Sequence, residues 1–150
     1  MIESQLKPEG ITCLDTINCI SRVNREDFVP KKYTDSSYAE FDIPLDNNYF
    51  MLRPITVAKI LQLLEIKKSD EILEIGTGTG YLTCCLSILG KSVDTLDIDN
   101  DIQAKAKSSL NNYNLYNISF INEDVFSNWI PKKQYDVIVG MYHDQVLAPI

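Results

Sequence analysis

Seven positions in this sequence combine residue type and spacing in a way that could do chemistry: Glu74, Gly76, Thr77, Gly78, Gly80, Asp97 and Asp124. The first five fall in "EILEIGTGTGYLTCCLS", residues 71 to 87, where three glycines at every second position separate two apolar runs. Glycine in such a turn tolerates positive φ and lets a ligand lie against bare backbone. A dinucleotide fingerprint is spaced G-x-G-x-x-G, whereas this loop is G-x-G-x-G and follows an acidic residue, Glu74. A pyrophosphate would gain little beside that carboxylate, but an ammonium group would gain. The pattern therefore points to S-adenosylmethionine, which carries an amino group, a ribose and a sulfonium and no phosphate. Asp97 lies 21 residues after Gly76, where an acidic side chain can accept both ribose hydroxyls. NAD would use the same residue, so Asp97 marks a nucleoside without choosing between cofactors. Asp124, in "FINEDVF", is placed to accept from an adenine amino group.

The elements that must position these residues follow from periodicity. "EILEI" reads as a buried strand, Tyr81 to Leu89 as a helix stopped by Gly90, and "SVDTLDI" as a second strand. The helix "DIQAKAKSSLNNYN", a third strand "ISFIN" and a fourth, "YDVIVG", complete the alternation. Strand and helix alternating at this spacing imply right-handed crossovers and a doubly wound, mostly parallel α/β sheet. Upstream, Leu14, Ile17, Ile20 and Val23 at helical spacing predict an amphipathic helix over 12–23. Pro54 fits the first turn of another, "PITVAKILQLLEI". The stretch between them, broken by Pro30, Pro44 and polar pairs, is expected to be mostly loop. Three parts result: an amino-terminal helical and loop segment (1–54), a cofactor-binding part (55–139) and an atypical tail (140–150).

Composition narrows the function classes. With 150 residues, 45% of them apolar, the chain suits one domain with a proper core. A net charge of -7 argues against nucleic acid, whose binders neutralise phosphates with a basic face. "MIESQLKPEG" has no apolar core behind a basic n-region, and no apolar run approaches a membrane span, so a cytoplasmic protein is expected. Cys13, Cys19, Cys84 and Cys85 form no C-x-x-C pair and read as reduced structural thiols.

From Met1 to about Val139 the chain resembles the protein-L-isoaspartate O-methyltransferase family. "MIESQLKP", "RVNREDFVP" and "EILEIGTGTGYLT" match that family's successive blocks in order and separation. The resemblance implies a Rossmann-like class I S-adenosylmethionine-dependent methyltransferase fold. It also implies cofactor contacts from Glu74, the Gly76–Gly80 backbone, Asp97 and Asp124. The implied partner is a protein or peptide bearing a carboxylate acceptor, methylated as a step of protein repair, with no nucleic acid and no membrane. That acceptor is ionised at neutral pH and needs no strong general base, so no catalytic residue is assigned. One block departs from the family pattern: in "DNNYFMLRP" the expected serine falls on Leu52 and the expected glutamine on Arg53. Leu52 cannot hydrogen-bond a carboxylate, while Arg53 can pair with one.

The end of the chain departs as well. A sheet of this type is expected to need about three strands beyond "YDVIVG", so the carboxyl-terminal strands are expected to be missing and the fourth strand to lie as an exposed edge. "YDVIVGMYHDQVLAPI" is similar to 4-hydroxythreonine-4-phosphate dehydrogenase, in which such a segment carries a metal-binding histidine. Here that residue would be His143, the sole histidine, and one histidine does not make a metal site. Three readings are thus set for test: an incomplete isoaspartyl-type methyltransferase, a nucleoside-binding remnant without turnover, and a fragment of a metal- and NAD-dependent dehydrogenase.

Overall fold

A computed structural model describes residues 1–127, 129–142 and 145–147. The chain divides into two compact units, the first from Met1 to Glu65 and the second from Ile66 onward.

In the first unit two short helical turns, Ile2–Leu6 and Lys7–Glu9, lead to helix α1, Leu14–Arg22. A two-residue hairpin follows, strand β1 (Ile43–Pro44) pairing antiparallel with β2 (Phe50–Met51), and then helix α2, Pro54–Leu64. Proline opens α2, where its missing N–H costs nothing. The two helices pack together, and Gln62 of α2 ties them polarly. Its Oε1 accepts from the Thr12 and Cys13 amides, both at 2.9 Å, and its Nε2 donates to Gly10 O at 3.1 Å. The stripe expected on α1 holds at Ile20 and Val23 and is displaced at its start. Leu14 is 72% exposed, and the buried face is Thr16, Cys19, Ile20 and, at the helix end, Val23. Thr16 and Cys19 also stand at helical spacing from Ile20 and Val23, so periodicity did not choose between them and Leu14 with Ile17.

The second unit is the α/β layer. Strands β3 (Glu71–Ile75), β4 (Ser92–Leu96), β5 (Ile118–Ile121) and β6 (Val137–Tyr142) run parallel, and β7 (Gln145–Leu147) runs antiparallel beside β6. Their order is β5-β4-β3-β6-β7. Helices α3 (Tyr81–Leu89) and α4 (Asn100–Leu110) make the two crossovers that step outward from β3 to β5. The next strand, β6, joins on the other side of β3, so the order reverses there. In open α/β sheets a ligand crevice forms at such a reversal, beyond the carboxyl ends of the strands. The fourth strand is not an edge as expected: β6 pairs with β3 through Val137–Gly140 and with β7 through Gly140–Tyr142. The physical reason is the short return at β7, three residues too brief to show alternation in sequence.

Helix α3 is buried nearly all round, Cys84 and Cys85 included, and all four cysteines are free thiols. Its entry depends on close approach to α4. Gly80 holds φ +89, and a Cβ there would sit 3.1 Å from Ala106 Cβ. Gly10 shares φ +89 but would meet nothing within 4 Å. The pair separates backbone strain from packing. Gly10→Ala should cost about 1 kcal/mol, the left-handed penalty alone, and Gly80→Ala a further 1–2 kcal/mol or so. Urea unfolding midpoints of the two variants check this; equal losses would show that the α3–α4 approach is not tight.

Candidate functional site

Strand β3 stops at Ile75 because the chain must turn sharply. Gly76, Gly78 and Gly80 take φ values of +96, +54 and +89, a run that L side chains rarely adopt. The turn is fixed from both ends. Gly76 N donates to Leu96 O at 2.7 Å, extending the β3–β4 ladder by one rung, and Gly80 N donates to Thr77 O at 3.0 Å. Cys84 N then donates to Gly80 O, starting α3.

Below the loop lies a buried polar chain. Glu74 is 2% exposed and sits opposite Thr95 in register. Its Oε1 accepts from Thr95 Oγ1 at 2.6 Å and from Thr83 Oγ1 of α3. Thr77 Oγ1 lies 2.8 Å from Thr95 Oγ1. Because Thr95 gives its single hydroxyl proton to Glu74, Thr77 must be the donor in that pair. Gln103 Nε2 of α4 in turn donates to Thr77 Oγ1 at 3.3 Å. Burial pushes the Glu74 carboxyl up to about 7. The hydroxyls of Thr83 and Thr95 oppose that rise, and the charge of Asp97 adds to it.

Asp97 follows β4 and is 6% exposed. Its Oδ2 accepts from Gly78 N at 3.3 Å and its Oδ1 from Asp99 N at 2.9 Å, so the glycine loop and the strand after it share one carboxylate. Asn122 holds the same turn, donating to Asp97 O at 2.9 Å and Ile98 O at 3.3 Å. Asp99 caps α4 through the amides of Asp101 and Ile102. Asp124 is half-buried and closes its own turn, Oδ1 accepting from Phe126 N at 2.9 Å and Oδ2 from Ser127 Oγ at 3.1 Å.

Glu74, Gly76, Thr77, Gly78, Gly80 and Asp97 are thus brought to the carboxyl ends of two neighbouring strands. Leu52 and Arg53 lie in the first unit. Leu52 O accepts from Nη2 of the buried Arg25 at 2.7 Å. Arg53 directs both its amide, at 3.0 Å, and its Nε, at 3.2 Å, to Asp42 Oδ1. His143 lies outside the described residues. Sequence reading missed Thr83, Thr95 and Gln103. A signal was there for Gln103, which shares its buried helix face with Ala106 and Leu110.

Known proteins can be set beside this geometry. The family model for protein-L-isoaspartate(D-aspartate) O-methyltransferase (PCMT) matches residues 1–146. The chain belongs to this family. It is 32% identical over 139 residues to the protein-L-isoaspartate O-methyltransferase of Koribacter versatilis, covering 93% of this chain and 63% of that protein. It is also 32% identical to the one from Aliivibrio salmonicida, again over 93% of this chain and 67% of the relative. The chain therefore spans about two thirds of the length of these relatives. A solved putative protein-L-isoaspartate O-methyltransferase from Plasmodium falciparum, in complex with S-adenosyl-L-homocysteine, superimposes with a TM-score of 0.74 at 18% identity, over 88% of this chain and 67% of that one. At that identity the likeness establishes the Rossmann-like methyltransferase fold. The PCMT match continues past Val139 and through β6.

The buried carboxyl gives this PCMT member a pH signature. A folded-state value near 7, against 4.5 for the free side chain, means that the folded chain holds more protons than the unfolded one between those limits. Stability from this group is fully present below pH 4.5 and declines as pH rises to about 7, by at most roughly 3 kcal/mol. Glu74→Gln should flatten that slope. Denaturant unfolding at pH 5, 6, 7 and 8 measures it; identical pH profiles for both proteins would contradict the buried-acid assignment.

Proposed function

We propose that this chain binds S-adenosylmethionine on the Gly76–Gly80 loop and methylates the carboxylate of an isoaspartyl-bearing protein or peptide, a repair reaction. The observation that carries the reading is the bare glycine loop at the strand-order reversal, with Asp97 held against Gly78 on the adjoining strand.

The residues present fit that cofactor. A Cβ at Gly78 would meet nothing within 4 Å, so the loop's backbone faces open space that a ligand can fill. Each Asp97 oxygen accepts one backbone N–H and keeps lone-pair capacity for a ribose hydroxyl. The acids Glu74 and Asp97 suit a cationic, phosphate-free ligand. In this reading Gly76, Thr77, Gly78 and Gly80 bind through backbone, Asp97 orients the ribose, and Asp124 accepts from the adenine amino group. Glu74 acts from beneath the loop, through its charge. When bound, S-adenosylmethionine supplies an electrophilic methyl group. The protein's own part is to position the acceptor and exclude water, because a carboxylate with an ordinary value near 4 is already ionised at pH 7. Arg53 is the proposed partner of the acceptor carboxylate, and Leu52 its apolar neighbour.

Among the described residues no helix is long and apolar enough to cross a membrane. A cytoplasmic site of action and a polypeptide acceptor belong to the proposal. A second reading, a nucleoside-binding protein without turnover, is favoured by Leu52 standing where the family pattern has serine. Calorimetry and labelled-methyl transfer to an isoaspartyl peptide separate the two. Micromolar binding of S-adenosylmethionine, none of NAD, at least tenfold weakening in Asp97→Ala and measurable transfer are expected. Binding without transfer would select the second reading, and no binding would overturn both.

A further inference from the structure

A single side-chain amide lies under the proposed cofactor site and touches three successive strand ends. Gln103, on the first turns of α4, is 3% exposed. Its two Nε2 protons are shared among three acceptors: Thr77 Oγ1 in the loop after β3 at 3.3 Å, Thr95 O of β4 at 3.2 Å and Ile121 O at the end of β5 at 3.2 Å. Ile121 O also accepts from Asp97 N at 3.1 Å. Gln103 thus shares an acceptor with the residue proposed to orient the ribose.

We infer that Gln103 is a positioning residue that holds the glycine loop in its binding form and sets its distance from Asp97; the inference rests on the cofactor reading above. Thr77 is the inward anchor of the loop: it is 3% exposed, while its neighbours Gly76 and Gly78 are part-exposed and hold positive φ. Three glycines give the loop a large conformational entropy to lose on binding. Fixing Thr77 from below removes much of that loss before any ligand arrives. Gln103 agrees with the direction that Glu74 sets on the chain. Thr95 gives its proton to Glu74 and Thr77 gives its proton to Thr95, which leaves Thr77 Oγ1 an acceptor for the Gln103 amide. The same helix carries Asp99, which accepts at its own N-terminus and donates its amide to Asp97. Helix α4 therefore grips the loop directly through Gln103 and indirectly through Asp97.

Gln103→Met keeps the length and burial of the side chain and deletes its donors. Thr77→Val deletes the hydroxyl that receives one of them. A purely structural role is controlled by Asn117→Ala. That side chain ties Ser87 O at 2.9 Å and Lys91 O at 3.1 Å, at the end of α3 and the start of β4, away from the glycine loop. In the full chain, Gln103→Met and Thr77→Val should each raise the S-adenosylmethionine Kd about five- to tenfold, with the double variant little worse than either. For Gln103→Met the rate at saturating cofactor should stay within about threefold, a KM effect without a kcat effect. Asn117→Ala should lower the melting temperature and leave Kd unchanged. Amide hydrogen exchange of the ligand-free proteins supplies a readout that needs no cofactor. Gly78 and Gly80 should exchange faster in Gln103→Met and not in Asn117→Ala. If the parent chain fails to bind S-adenosylmethionine, the cofactor reading falls, while the exchange result still decides whether Gln103 holds the loop. Unchanged loop exchange, or a Kd that tracks melting temperature across all three variants, would overturn the inference.

Discussion

A carboxylate confined beneath three glycines is the constraint on which the second unit is built. Glu74 stands in the middle strand of the sheet with almost no exposure, and an isolated charge there would be costly. The fold meets that cost with hydroxyls: Thr83 from the helix that follows and Thr95 from the strand beside it. Those two bonds require α3 to enter at a particular height over β3, which Gly80 allows by sitting close against Ala106. They also require β4 to lie in the observed register, Glu74 opposite Thr95. The site inherits its shape from this arrangement, because the same register places Asp97 beside Gly78.

The two acids play different physical parts. Asp97 is a presented group, held by the amides of Gly78 and Asp99 with capacity to spare. Glu74 is a submerged group whose carboxyl is pushed up to about 7 by burial. In the proposed cofactor site a cation above the loop would favour the ionised form, and the penalty that the ligand-free fold carries at Glu74 would become differential affinity for that ligand. The carboxylate thereby trades stability against binding, in the direction that a sulfonium- and ammonium-bearing cofactor would exploit.

Much of this was legible in the sequence. The alternation of apolar runs gave the parallel strands, and "EIGTGTG" with Asp97 gave the loop and its partner, because glycine spacing and a strand-terminal acid are local signals. What was hidden depended on orientation or on pairing. Leu14 and Thr16 both begin helical stripes, and only the packed fold shows that Thr16 rather than Leu14 is buried. The β6 strand reads as an edge until β7, too short to announce itself, pairs with it. Thr83, Thr95 and Gln103 carried no local signal of a shared role; their meaning lies in converging on one buried chain from three elements. Asp124 also closes a local turn, its two oxygens serving Phe126 and Ser127, which the sequence did not show. In the first unit the Leu52–Arg53 departure was plain, but not that Arg25 and Asp42 hold that backbone and guanidinium.

The most direct measurement is the titration of the Glu74 side chain by carboxyl-carbon NMR, with and without S-adenosylmethionine. A midpoint near 7 in the ligand-free chain that falls by at least one unit with the cofactor bound is the predicted result, since a cation above the loop must favour the charged form. A midpoint near the ordinary 4.5 that S-adenosylmethionine leaves unchanged would contradict both the buried acid and the cationic site above it.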